Sequence, residues 1–166
     1  GLGAKVKQGD CDGKSFLSLL QGSNQPIHSY VYGAFTNCRI SDNKERIYPI
    51  RSIRDKRYSL IYNPNFSSYT SNVTLSQALE LKQGGLETES LSPAASWVVK
   101  AGKDPSVKPL VEKLNHRPEY ELYDLKNDRY ELKNIAENQM YAKVFKRMKK
   151  NLHQKLEFYG DQNPIV

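Results

Sequence analysis

The sequence predicts an α+β fold in which a four-stranded antiparallel sheet packs against a long C-terminal helix. Two short segments rich in β-branched and aromatic residues, 47–54 and 57–63, flank a charged turn and form a predicted hairpin. Segment 119–124 alternates apolar and polar residues as a strand does, and residues 138–159 repeat apolar residues at helical spacing. A sheet covered on one face by a helix follows from these patterns.

The first third of the chain contributes one helix and one strand before the hairpin. Residues 12–22 begin with a possible capping Asp, continue with apolar residues and end in Gly, which predicts a short helix. The segment 30–36 is aromatic and β-branched and should pair with the hairpin. Residues 64–116 are polar and rich in Ser and Gly, so we interpret them as an excursion from the sheet, with short helices near 75–81 and 107–114.

The C-terminal helix is predicted by an apolar stripe that ends before Gly160, a suitable capping residue. The stripe contains Tyr141, Val144, Phe145, Met148, Leu152, Leu156 and Tyr159. The opposite face is basic, and it contains Lys143, Lys146, Arg147, Lys149, Lys150 and Lys155. This basic face is either solvated surface or a binding site for a polyanion.

Composition is that of one globular domain spanning residues 1–166, with 38% apolar and 10% aromatic residues. The formal charge of +7 favours anionic partners, which include nucleic acid, acidic membrane surfaces and sulfated polysaccharides. No stretch is long and apolar enough to predict a membrane span. Cys11 and Cys38 match neither a disulfide framework nor a zinc site, so we interpret them as buried or free thiols.

Two arginines of the predicted hairpin are the candidate binding residues. Arg51 and Arg54 could bind sulfate or carboxylate groups, because guanidinium groups donate paired hydrogen bonds to oxyanions. They could equally pair inside the protein with a carboxylate such as Asp124 or Glu121. The three histidines are scattered, and the sequence predicts no complete catalytic or metal centre. The Gly9–Ser15 segment has three residues before Gly-Lys-Ser where a phosphate-binding loop has four, which favours a simple helix start.

Four segments together resemble the C-terminal part of sulfatases, most closely heparan N-sulfatases (N-sulfoglucosamine sulfohydrolases). They are the Asp-Gly-x-Ser-Phe-x-x-Leu-Leu-x-Gly pattern of residues 12–22, Val31-Tyr-Gly-Ala34, the hairpin over 48–66, and residues 117–136. In such sulfatases a large N-terminal α/β domain carries a formylglycine, made from Cys or Ser in a Cys-x-Pro-Ser-Arg type motif, and a calcium ion. Here Cys11 precedes Asp-Gly-Lys and Cys38 precedes Arg-Ile-Ser, so neither matches that motif.

The resemblance therefore implies a non-catalytic C-terminal fragment, with formylglycine and calcium expected in a missing N-terminal catalytic domain. That domain and a sulfated glycosaminoglycan, in particular heparan N-sulfate, are the implied partners, with nucleic acid less favoured. Thr36 and Asn37 in the loop after the first strand, and the face bearing Arg51 and Arg54, would form one wall of the substrate pocket. The intact protein would be exported or lysosomal. The alternatives are a stand-alone polyanion-binding module and a purely structural cap on the larger enzyme.

Overall fold

A computed structural model describes residues 13–36, 48–68 and 93–161, except the side chains of residues 93–95. The elements in chain order are α1 (Leu17–Leu20), β1 (Val31–Phe35), β2 (Ile50–Arg54), β3 (Tyr58–Tyr62), α2 (Pro93–Ala101), α3 (Lys108–Asn115), β4 (Tyr120–Asp124), a 3₁₀ turn (Gln139–Tyr141) and α4 (Ala142–Phe158). The predicted α+β architecture of a four-stranded antiparallel sheet and a long C-terminal helix is confirmed.

The four strands form one antiparallel sheet in the order β1-β2-β3-β4. The turn between β2 and β3 is fixed by Asp55, whose carboxylate accepts hydrogen bonds from the backbone N–H groups of Arg57 and Tyr58. Such a carboxylate satisfies backbone donors that a tight turn leaves free. The outer edge of β4 is partly covered, because the N–H of Leu122 donates to Asn134 and its carbonyl accepts from Ile135.

The main core lies between the sheet and α4. The register aligns Ile53, Leu60 and Leu122 across three strands, and all three side chains are fully buried. Met148 and Leu152 of α4 pack against them at the helical spacing that the sequence predicted. Each buried aliphatic side chain stabilises the fold by about 1.5–3 kcal/mol relative to an exposed one. Tyr159, predicted as the last member of the stripe, is instead mostly exposed.

The four predicted strands, α4 and the helix near 107–114 are confirmed, although β2 begins at Ile50 rather than at 47 and α4 begins at Ala142 rather than at 138. The predicted helix over 12–22 is wrong in length, because within residues 13–22 only the single turn α1 forms. The Ser15 hydroxyl accepts a hydrogen bond from the N–H of Leu17 at the start of that turn. Helix α2 was not predicted. The helix predicted near 75–81, Cys11 and Cys38 lie outside the described residues.

Helices α2 and α3 contact each other and enclose a second, small apolar cluster formed by Val98, Val99 and Val111. These two helices are the described part of the predicted excursion. In the described ranges we find no helix with the length and apolar character needed to cross a membrane.

Candidate functional site

Arg51 lies buried on the helix-facing side of the sheet. Its Nε and Nη2 atoms donate to the two carboxylate oxygens of Asp161 at 2.5 and 3.0 Å. Its Nη1 atom donates to the backbone oxygens of Phe35 and Ile50 at 2.9 and 3.0 Å. The side chain is 6% exposed, whereas that of Asp161 is 27% exposed. Arg51 therefore joins β1, β2 and the end of α4 through one guanidinium group.

Asp161 reaches Arg51 because α4 ends in a Schellman turn. Gly160 adopts a φ of +69°, a left-handed conformation that glycine tolerates without a Cβ clash. The N–H of Gly160 donates to Glu157, and the N–H of Asp161 donates to Leu156 at 2.8 Å. The predicted cap at Gly160 is thus confirmed, and it places a carboxylate directly beneath the sheet.

Arg54 occupies the other face of the sheet. Side chains alternate along a strand, so residues three positions apart point to opposite faces. Arg51 is paired with Tyr62 on the helix side, whereas Arg54 is paired with Ser59 and Val31 at the far end of β2. The Arg54 side chain is 57% exposed and lies 3.6 Å from Glu131. The predicted single face bearing both arginines is therefore wrong.

The other predicted site residues belong to the end of β1. Thr36 follows β1 directly and is exposed, beside the Phe35 carbonyl that Arg51 binds. Asn37 lies outside the described residues. The structure thus brings Thr36 and Arg51 to one end of the sheet and leaves Arg54 at the other. Their binding of substrate stays a prediction.

The carboxylates proposed as internal partners do pair with arginines, but with different ones. Arg57 binds Asp124 at 2.8 Å, and Arg117 binds Glu121 at 2.8 Å. The hydrogen bond from Arg57 lowers the pKa of the Asp124 carboxyl below its ordinary value.

Glu121 belongs to a buried polar cluster on the face opposite α4. It accepts hydrogen bonds from the Tyr123 hydroxyl and the Asn63 amide. Burial raises the pKa of the nearby Tyr48 hydroxyl to about 12, so it is neutral at physiological pH. The cluster's hydrogen bonds connect β3, β4 and the segment before β4. This pattern is that of a structural network.

A second titratable cluster joins α4 to the sheet. His153 Nε2 lies 2.7 Å from the Tyr120 hydroxyl, and the Tyr62 ring stacks on Tyr120 at 4.9 Å between centroids. Lys149 lies over the Tyr120 ring with its Nζ 4.1 Å from the centroid. Burial, helped by the Lys149 charge, lowers the pKa of His153, which favours the neutral ring. Sequence reasoning missed this cluster, although His153 sits one helical turn after Lys149.

Nothing in the described ranges assembles three or more His, Cys, Asp or Glu side chains in a way that could hold a metal ion. The ionisable groups described above are engaged mainly in internal pairs. These ion pairs hold the strands and the loop after β1 in position. They also leave charged groups at the surface.

Comparisons with known proteins show which proteins the sequence and the fold of this chain are similar to. No family model matches the sequence. The chain is 32% identical over 152 residues to an ulvan-active sulfatase from Formosa agariphila, a match that covers 92% of this chain and 26% of that protein. The fold is similar to part of a solved structure of a candidate sulfatase from Bacteroides thetaiotaomicron VPI-5482, with a TM-score of 0.53 and 18% identity over 97% of this chain and 23% of that one.

The sequence similarity links this chain to part of a sulfatase, and the structural similarity shows that it shares a fold with part of the candidate sulfatase. The chain spans about a quarter of the length of both proteins. The structural similarity, at 18% identity, supports the fold alone, and the sequence similarity carries the link to sulfatases.

Proposed function

We propose that this chain is the non-catalytic C-terminal domain of a larger sulfatase that acts on a sulfated polysaccharide. The sequence similarity to a sulfatase over nearly the whole chain supports the enzyme class. The formylglycine and calcium expected of sulfatases would belong to an N-terminal catalytic domain, because neither cysteine here stands in the required motif. Those groups have no fitting donor set among the described residues.

The observation that carries the proposal is the exposed outer strand of the sheet. All five residues of β1 are exposed, and on the face opposite α4 the Val31 and Phe35 side chains are 67% and 60% exposed. Natural proteins usually shield an apolar edge strand, because it invites association. Between these residues Gly33 approaches β2 so closely that an added Cβ would lie 2.6 Å from the Ser52 hydroxyl oxygen. A catalytic domain of the same protein is the proposed cover for this face.

Within that enzyme, the end of β1 would contribute to the substrate pocket. Thr36 and Asn37 would face the sugar, and Arg51 would act as a positioning residue, because its guanidinium group holds the Phe35 carbonyl just before them. Arg54, on the other face, would contact the catalytic domain or solvent.

The substrate proposal has two candidates. The resemblance of the hairpin and the 117–136 segment favours heparan N-sulfate. The name of the 32% identical relative favours ulvan. In either case the substrate is a polymer found outside cells, so we propose that the intact protein is exported or lysosomal.

The test compares the 166-residue chain with the longer protein encoded by the same gene. Sulfate release is measured from heparan oligosaccharides and from ulvan. We expect release by the longer protein only, and reading the coding region upstream of Gly1 should reveal a Cys-x-Pro-Ser-Arg motif or its Ser variant. Metal-dependent release by the pure chain, or an upstream region without a sulfatase domain, would contradict the proposal.

A further inference from the structure

Two open depressions on the surface of the domain meet at Arg147. One, of about 520 Å³, follows the exposed side of α4, and the other, of about 350 Å³, lies beside the β2–β3 turn. We call the continuous surface the basic groove. Its cations are Lys143, Lys146, Arg147, Lys150, Lys56 and Arg57.

The helical part of the basic groove is a single stripe of positive charge. Its four cations stand at i, i+3, i+4 and i+7, so they are neighbours on one face of α4. From Lys143 to Lys150 the stripe is about 10 Å long at 1.5 Å per residue. One small anion could not contact all of it, whereas a linear polyanion could.

The stripe is unfavourable for the helix itself. Like charges at i,i+4 repel, and α4 has no acidic residue in its first turn. Lys143, Lys146 and Arg147 lie in the first half of the helix, where the helix dipole does not offset positive charge. An anion that binds along the stripe would offset the repulsion between these cations.

Arg147 is held in place rather than free. Its guanidinium donates to the Tyr30 hydroxyl at 3.1 Å and to the Asp55 carboxylate at 2.8 Å, while the side chain stays 46% exposed. Asp55 is largely committed to the turn and to Arg147, and Asp124 is committed to Arg57. Among the described residues, the six cations of the groove thus share two carboxylates, which leaves a net positive charge.

The tyrosine ring in the groove is poorly placed to stack on the bases of a nucleic acid. Single-stranded nucleic acids bind through bases stacked on exposed aromatic rings. The Tyr58 ring is partly buried, with the Arg57 guanidinium 5.0 Å from its centroid and the edge of Tyr141 beside it. The groove offers instead charges and the amides of Asn151 and Gln154, groups that bind sulfates and sugar hydroxyls.

We propose that the basic groove is a docking site for a sulfated polysaccharide chain, separate from the pocket wall at the end of β1. The choice of a sulfated glycan over other polyanions rests on the proposed function. The groove would bind a stretch of substrate beyond the reacting sugar and keep the enzyme on its polymer. Its binding needs only this domain.

The test measures binding of a fluorescent heparin oligosaccharide and an ulvan fragment to the full 166-residue chain by anisotropy. The variant Lys143→Gln/Lys146→Gln/Lys150→Gln should weaken binding of the sulfated probe about tenfold or more. It should also reduce the slope of log affinity against log salt by about 2–3. The control Lys100→Gln/Lys103→Gln/Lys108→Gln removes the same charge from exposed lysines around α2 and α3, and should leave affinity within about twofold.

Thermal unfolding separates binding from folding, because removing the repulsive stripe should leave the melting temperature unchanged or higher. Three results would each overturn the proposed docking site. The first is an equal loss of affinity in both triple variants, and the second is no binding of either sulfated probe. The third is equally tight binding of an oligothymidylate of the same charge. If the groove binds but the longer protein releases no sulfate, the proposed function fails and the groove stands.

Discussion

The two faces of the sheet differ in completeness. On the helix side, Ile53, Leu60 and Leu122 are fully buried under α4. On the opposite side at β1, Val31 and Phe35 are mostly exposed. The first face is a core that the chain forms by itself, whereas the second face is open only at β1, because Glu121 and Tyr123 are buried on it at β4. The exposed apolar residues at β1 are of the kind found at interfaces. The chain therefore supplies a buried core on its helix side, whereas its exposed surface at β1 is suited to contact with another domain.

The largest expected effect is on the helix-side face. Leu122→Ala removes a fully buried side chain and should lower the free energy of unfolding by about 2–5 kcal/mol. Leu132→Ala makes the same chemical change at a side chain that is 69% exposed, and should change stability by less than about 0.5 kcal/mol. Urea unfolding of the chain measures both. Equal effects would mean that the helix-side core does not dominate stability.

A smaller effect should separate the two arginines. Arg51→Ala removes four hydrogen bonds, two of them to the Asp161 carboxylate, and it should cost about 1–3 kcal/mol of unfolding free energy. Arg54→Ala, on the open face, should cost less than about 0.5 kcal/mol, as exposed ion pairs do. Arg51→Lys should rescue little, because an ammonium group cannot make the paired contact with Asp161. A greater loss for Arg54→Ala would reverse the assignment of the faces.

The Arg57–Asp124 pair predicts a pH dependence. The pKa of Asp124 in the folded chain lies below the ordinary value of 3.8, chiefly because of the hydrogen bond from Arg57. The stabilisation is therefore fully present above pH 3.8 and is lost as the pH falls below it through the folded pKa. Asp124→Asn should flatten the acid limb of a plot of stability against pH. An acid limb unchanged by Asp124→Asn would rule out this pair as its source.

The smallest effect in the isolated chain is expected on the open face. Phe35→Ser should change the unfolding free energy of the 166-residue chain by less than about 0.5 kcal/mol, because the ring is already exposed. In the longer protein the same change should lower the unfolding temperature measurably, since the ring would be buried against the catalytic domain. A large loss in the isolated chain would mean that β1 is already covered.

Local sequence patterns predicted the sheet and α4 well. A strand or helix with one buried face needs apolar residues every 2 or 3.6 positions, whatever the rest of the fold is. Helix α2 was missed, although Ser92-Pro93 is a common helix start. The shared face of Arg51 and Arg54 was an avoidable error, since their odd spacing already places them on opposite sides of a strand. The partner of Arg51 was not predictable, because Asp161 lies 110 residues away and only the folded helix end brings it near.

The most direct test of the central claim, that the open face of β1 is covered by the rest of a larger sulfatase, is hydroxyl-radical footprinting of Phe35. Its oxidation rate is compared in the 166-residue chain and in the longer protein, with exposed Met140 in the 3₁₀ turn before α4 as the internal reference. Phe35 is expected to react readily in the chain and to be strongly protected in the longer protein, while Met140 reacts in both. Equal reactivity of Phe35 in the two proteins would contradict it.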